Sequence, residues 1–169
     1  MDVLEAIFTR RSIRSFIDRE VEPEKIETLL RAAMQAPSAH NKQPWHFVVV
    51  NKRSLLDAIA DFHPYGKMLY TAPQAIVVCG DLSEENNERY LGLNCAAATQ
   101  NILLAAHGLN LGAVWVALYP REERILKIQQ ILTLPQYVLP ISLVALGYAQ
   151  RKVRPENRYN AQKVHVNRW

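Results

Sequence analysis

Cysteine is nearly missing from this sequence: of 169 residues only Cys79 and Cys95 qualify, both among apolar neighbours and neither in a CxxC or Cys/His spacing. That excludes a disulfide framework and a cysteine-ligated zinc site, and two buried free thiols are expected instead. No apolar run reaches the length of a membrane span; the longest, Leu91 to Ala106, is broken by Asn94, Thr99, Gln100 and Asn101. The start, Met1 to Arg11, has no signal-like apolar core and carries Asp2 and Glu5, so a cytoplasmic protein without membrane attachment is expected. GxGxxG, GxxxxGK[ST] and GxSxG are all absent, which argues against a Rossmann nicotinamide site, a P-loop and a nucleophile elbow. The five histidines, His40, His46, His63, His107 and His165, show no ligand spacing, so no metal is expected. With no side chain placed as a nucleophile, a cofactor is expected to carry any chemistry.

What the sequence does contain is a chain 49% hydrophobic, long enough for one domain over 1–169 that buries roughly 70% of its unfolded surface. Its positive charge is concentrated at the ends. Residues 1–14 and 151–169 together are net +6, while the stretch between is net −2. Two small basic clusters at opposite ends suit one compact anion bound where the termini meet, better than they suit nucleic acid along a whole face.

The periodicity predicts helices over Asp2 to Thr9, from Pro23 to before Pro37, from an Asn51 cap to Phe62, over about 87 to 108, and from Pro120 onward. It predicts strands over 46–50, 75–80, 113–118 and 139–147, and no repeat or linker interrupts them. Helices and strands mixed around one core make the class α+β. The helix over 87–108 is apolar nearly all round, so it is expected to be covered on most sides and to meet a partner subunit.

Two stretches carry polar chemistry. Arg10-Arg11-Ser12-Ile13-Arg14 offers three planar guanidinium forks and a hydroxyl within five residues, a donor set matched to phosphate oxygens. Pro37-Ser38-Ala39-His40-Asn41-Lys42-Gln43-Pro44-Trp45 is a stiff polar loop whose Ser, Asn and Gln can read the edge of a planar heterocycle, with Trp45 as a packing residue. Lys67 stands in a helix-breaking turn, and Arg151-Lys152-Val153-Arg154 follows directly on the last strand, where ligands of such sheets tend to bind.

Taken with Gly108-Leu109-Asn110-Leu111-Gly112-Ala113-Val114-Trp115 and the closing His165-Val166-Asn167-Arg168-Trp169, these motifs fall in an order and spacing that resembles the short, single-domain branch of the FMN-dependent nitroreductase family over essentially the whole chain. The resemblance implies a mixed or antiparallel sheet sandwiched by helices, in an intertwined homodimer with two FMN sites at its interface and a C-terminal segment reaching the partner. It implies that Arg10, Arg11, Ser12 and Arg14, with Lys152 and Arg154, hold the phosphate and the polar edge of FMN. Pro37, Ser38, Ala39, Asn41 and Gln43 would come from the other subunit. Trp115, Val116, Ala117 and Leu118 would lie beside the ring, with a backbone N–H of Ala117 or Leu118 at flavin N5, and Arg14 or Lys67 would supply a cation near N1 and O2.

The implied activity is ping-pong transfer of hydride from NADH or NADPH through FMN to nitroaromatic or quinone acceptors, with no obligatory acid or base side chain. Two other readings stay open: the same fold and flavin used for dehalogenation or flavin fragmentation, and a non-enzymatic module binding nucleotide or nucleic acid. Three positions depart from the family pattern. Ala117 stands where glycine is frequent, Leu118 is bulky enough to shape the pocket, and Ala39 replaces a frequent serine. No long insertion lids the site, so an open and unselective cavity is expected.

Overall fold

The structure is a computed structural model that describes residues 1–151 and 153–169; Lys152, one of the expected phosphate ligands, lies outside the described residues. Four strands, β1 (Trp45–Val50), β2 (Gln74–Asp81), β3 (Gly112–Ala117) and β4 (Val138–Gly147), form one antiparallel sheet in the order β1-β2-β4-β3. Successive side chains of a strand point to opposite faces, and here both faces are covered. Ile76, Val78, Val144 and Leu146 pack under α2 (Pro23–Met34) and α4 (Glu88–Gly108). Ala75, Val77, Leu143 and Ala145 join α3 (Arg53–Phe62) and α5 (Glu122–Leu132) in a second core on the other face. Double coverage explains why β2 and β4 read as unbroken apolar runs. The α+β sandwich agrees with the expectation, and both thiols are free, buried and pushed up to about 12 by that burial.

Two helix starts differ from the sequence reading. Asn51 does not cap α3. The strand runs through Val50, and the backbone stays extended as far as Lys52, which takes the cap position without a side-chain bond. Pro120 likewise does not open α5; it stands in a turn closed by the Arg121 N–H on the Leu118 carbonyl, and Arg121 is the cap of a helix that begins at Glu122.

The first helix, α1 (Val3–Thr9), is capped by Asp2, whose Oδ1 accepts the Glu5 N–H at 2.8 Å, yet none of its residues is buried. From it the chain runs extended alongside β3: Ser12 pairs with Ala113 in a parallel bridge, and the Ile13 N–H donates to the Ala113 carbonyl at 3.0 Å. Glycine at 112 is what allows this approach. A Cβ there would stand 2.7 Å from Ile13 Cγ2 and 2.9 Å from Ile13 Cβ. The substitution Gly112→Ala should therefore cost about 1–3 kcal/mol of folding free energy through overpacking, read as a lower urea midpoint at unchanged m-value.

Candidate functional site

Because the Arg10–Arg14 segment is laid against β3, its cations are carried to one end of the sheet. There Thr9, Arg10 and Arg11 line a cleft of about 410 Å³ together with His107, Asn110, Arg151 and Val153. The two ends of the chain thus meet, as their charges suggested. Burial depresses the pKa of Arg10, and repulsion from Arg11 and Arg158 depresses it further. Among the described residues no carboxylate pairs with Arg10, Arg14, Arg151 or Arg154. A half-buried cation pressed by like charges and lacking a counter-ion is stabilised by a bound anion.

Arg11 is placed differently from its neighbours. Its Nη1 donates to the carbonyls of Phe8 and Arg10, at 3.2 and 2.6 Å, and its Nη2 to that of Glu156 at 2.8 Å. Its donors fasten the C-terminal segment to the end of α1 rather than standing open to a ligand. Arg14 and Lys67 are exposed, and Ser12 is half-buried beside Ala113.

The outer edge of β3 is the second part of the site. Leu118 pairs with β4 through its N–H to the Ile141 carbonyl at 3.2 Å, so by the alternation of an antiparallel ladder Ala113, Trp115 and Ala117 turn their N–H and C=O groups away from β4. The Ala113 carbonyl takes the Ile13 N–H on this side; the Ala117 carbonyl takes His63 Nε2 at 3.1 Å and Arg124 Nη1 at 3.0 Å. Of the two amides named as candidates for a flavin nitrogen, Leu118 has spent its proton on β4, and Ala117 is the one on the open edge. The side chains of Val116 and Leu118 are buried in the α3/α5 core, so Leu118 shapes no open pocket; Trp115 packs half-buried on the opposite core, and Ala117 is exposed. From Ala113 to Ala117 the edge runs about 13 Å, with cations at one end and an open amide at the other.

The 37–45 loop lies elsewhere in the chain. His40, Asn41 and Gln43 all have positive φ, at 55°, 54° and 51°; histidine and asparagine adopt that region more readily than most residues, glutamine does not. Four bonds that involve side chains hold this turn. The Ala39 N–H donates to Asn94 Oδ1 at 2.9 Å, the Gln43 N–H to Ser38 Oγ at 2.9 Å, Gln43 Nε2 to Asn41 Oδ1 at 2.9 Å, and Lys42 pairs with Glu85 at 3.2 Å. Strain so tethered concentrates at functional loops. Asn94, near the start of α4, anchors the loop, while His107, near its end, faces Arg10. Thirteen helical residues separate them, about 20 Å along the axis. Pro37 is exposed and Ser38 and Ala39 are half-buried, while Trp45 is buried as a packing residue.

Sequence reasoning passed over four residues. Asn94 was visible only as a polar break in an apolar run, His63 only as a helix breaker, and His107 and Arg124 gave no signal. His107 Nε2 lies 2.8 Å from Thr9 Oγ1, whose own proton goes to the Glu5 carbonyl. Outside the cleft, His46, Asp81 and Glu84 bring three ligand-type atoms within 4.8 Å of one another, which no sequence spacing disclosed.

Comparison with known proteins bears on the whole chain. Residues 7–63 and 62–148 match the model of the nitroreductase family. A protein of Methanothermobacter thermautotrophicus, provisionally named NADH dehydrogenase/NAD(P)H nitroreductase, is 47% identical over 169 residues, covering 100% of this chain and 88% of its own. A crystal structure from Parabacteroides distasonis under the same provisional name is 45% identical, with a TM-score of 0.95 and 98% of both chains covered. A provisionally named nitroreductase from Desulfovibrio desulfuricans, solved in complex with FMN, is 32% identical, with a TM-score of 0.85 over 100% of this chain and 98% of that one.

Burial lowers the pKa of both His63 and His107, first by desolvation. The unfolded chain takes up protons near pH 6.5 that the folded chain refuses. Stability should thus be full above that pH and fall as pH drops from 6.5 toward 5. Urea midpoints measured across this window should decline, and His63→Gln should flatten the decline.

Proposed function

The chain belongs to the nitroreductase family, and on that premise we propose that it is an FMN-dependent NAD(P)H oxidoreductase whose acceptors are nitroaromatics or quinones. The observation that carries this reading is the joining of unpaired guanidinium groups to an open strand edge by the Ser12–Ala113 bridge. A dianionic phosphate and a planar ring with acceptor nitrogens need those two surfaces, so the donor set fits FMN. When bound, FMN would supply the two-electron chemistry of a ping-pong hydride transfer from NADH or NADPH to the acceptor.

The chain's own residues have positional and electrostatic tasks. Arg10, Arg154 and Lys152 neutralise the phosphate, and Ser12 adds a hydroxyl. Arg14 or Lys67 would provide the positive charge toward N1 and O2, where a developing anion is stabilised by a fixed cation. The Ala117 amide is directed at N5. Arg11, already bonded to three carbonyls, secures the C-terminal segment that brings in Arg154 and contributes its charge from there.

The site is completed by a second copy. The exposed surface of 10535 Å² exceeds by about 2,000 Å² the area usual for a compact protein of 19.3 kDa. Apolar side chains contribute to it: Val3, Leu4 and Phe8 on α1, and Val164, Val166 and Trp169 in the C-terminal segment, are all exposed. An intertwined homodimer covers them, and Pro37, Ser38, Ala39, Asn41 and Gln43 then reach the FMN of the partner. Among the described residues no helix is long and apolar enough to cross a membrane.

The purified protein should be yellow, and NADH or NADPH should bleach it in the absence of oxygen; a colourless protein that gains no colour from added FMN would refute the reading. Arg10→Ala and Arg154→Ala should each weaken FMN binding by roughly 10- to 100-fold, the worth of one charge-assisted hydrogen bond, as measured by fluorescence titration of the apoprotein. Light scattering should return twice the chain mass.

A further inference from the structure

Three elements converge on one peptide group at the end of β3. The Ala117 carbonyl has two lone pairs, and both are taken: His63 Nε2 approaches at 3.1 Å and Arg124 Nη1 at 3.0 Å. On the other side of the same peptide, the Leu118 N–H donates to the Ile141 carbonyl at 3.2 Å. His63 follows α3, Arg124 is on α5 and Ile141 is on β4, so the peptide is held from three directions.

The histidine is itself fixed. Its Nδ1 accepts the Tyr65 N–H at 3.1 Å, which puts the ring proton on Nε2 and makes that atom the donor toward Ala117. It is 2% exposed, the buried histidine among the described residues. Arg124 reaches across the Tyr65 ring at 5.8 Å, and its Nε is left buried without a partner. An exposed edge carbonyl could have been satisfied by water alone. Two buried or half-buried side chains are committed to it, one of them with an unsatisfied nitrogen.

We propose that His63 and Arg124 are positioning residues that lock the Ala117 carbonyl, so that Ala117 offers the flavin its N–H and withholds its carbonyl. The proposal rests on the reading of that edge as the FMN site. Its consequence is a bias between redox states. Oxidised flavin N5 carries a lone pair and accepts the Ala117 N–H. Reduced N5 carries a proton and is matched instead by a carbonyl, which the lock withholds. The lock therefore favours the oxidised form, and the bound cofactor gives up electrons more readily than it would beside a mobile peptide.

Redox titration of the FMN-loaded protein tests this with His63→Phe and with Arg124→Lys, which keeps the charge while losing the guanidinium fork. Each should shift the ratio of affinities about tenfold toward reduced FMN, an increase of about 30 mV in the two-electron midpoint potential. His63→Gln, which keeps an amide donor, should return the potential toward that of the unaltered protein. Unchanged potentials in both variants would overturn the lock even if their melting temperatures fell, because such a fall reports packing alone. Should His63→Phe fail to fold, Arg124→Lys decides the matter by itself. Unaltered protein that binds no FMN would refute the site reading and this inference together; bound FMN with unshifted potentials would remove the lock and leave the site.

Discussion

One main-chain bond, from the Ile13 N–H to the Ala113 carbonyl, holds the first fourteen residues to the sheet. α1 buries none of its side chains and is held to α4 only through Thr9 Oγ1, 2.8 Å from His107 Nε2, so without the main-chain bond the arginines that follow would be loosely seated. The bond is possible because residue 112 has no side chain and Ile13 settles into the space. It also borrows the outward-facing half of an edge strand, leaving the remainder of that edge, Trp115 to Ala117, for something other than protein. Cation cluster and open edge are thus two products of a single seating.

The sheet's strand order has a related effect. With β4 between β2 and β3, the strand that carries the site is an edge strand although it comes third in the chain. An interior position would have used both rows of its amides. Edge strands are ordinarily protected against pairing with other chains, and this one is occupied at one end by Arg11 to Ile13 and capped at the other by His63 and Arg124.

The elements were legible because they depend on local pattern. Apolar runs in β2 and β4, the stripe of Ile26, Leu29 and Ala33 in α2, and the length of α4 all declare themselves over ten to twenty residues, and the family motifs placed the arginines and the 37–45 loop. The helix starts at 53 and 122 were misread because Asn51 and Pro120 are favourable cap and first-turn residues standing where the chain still has to complete a turn. What could not be read was any pairing over long range. The bond between Ala39 and Asn94 spans 55 positions, and that between His63 and Ala117 spans 54; neither leaves a periodicity. Arg11 shows the limit most plainly, since an arginine beside two others looks like a phosphate ligand until its donors are found on carbonyls of both termini.

The two thiols bear on chemical survival. Electrophiles alkylate a protein at whichever thiolates it exposes. Cys79 and Cys95 lie on the two faces of the sheet, wholly covered, with pKa values pushed up to about 12. At neutral pH both stay protonated. Burial that serves the packing of the sandwich also keeps both thiols out of the reach of electrophiles.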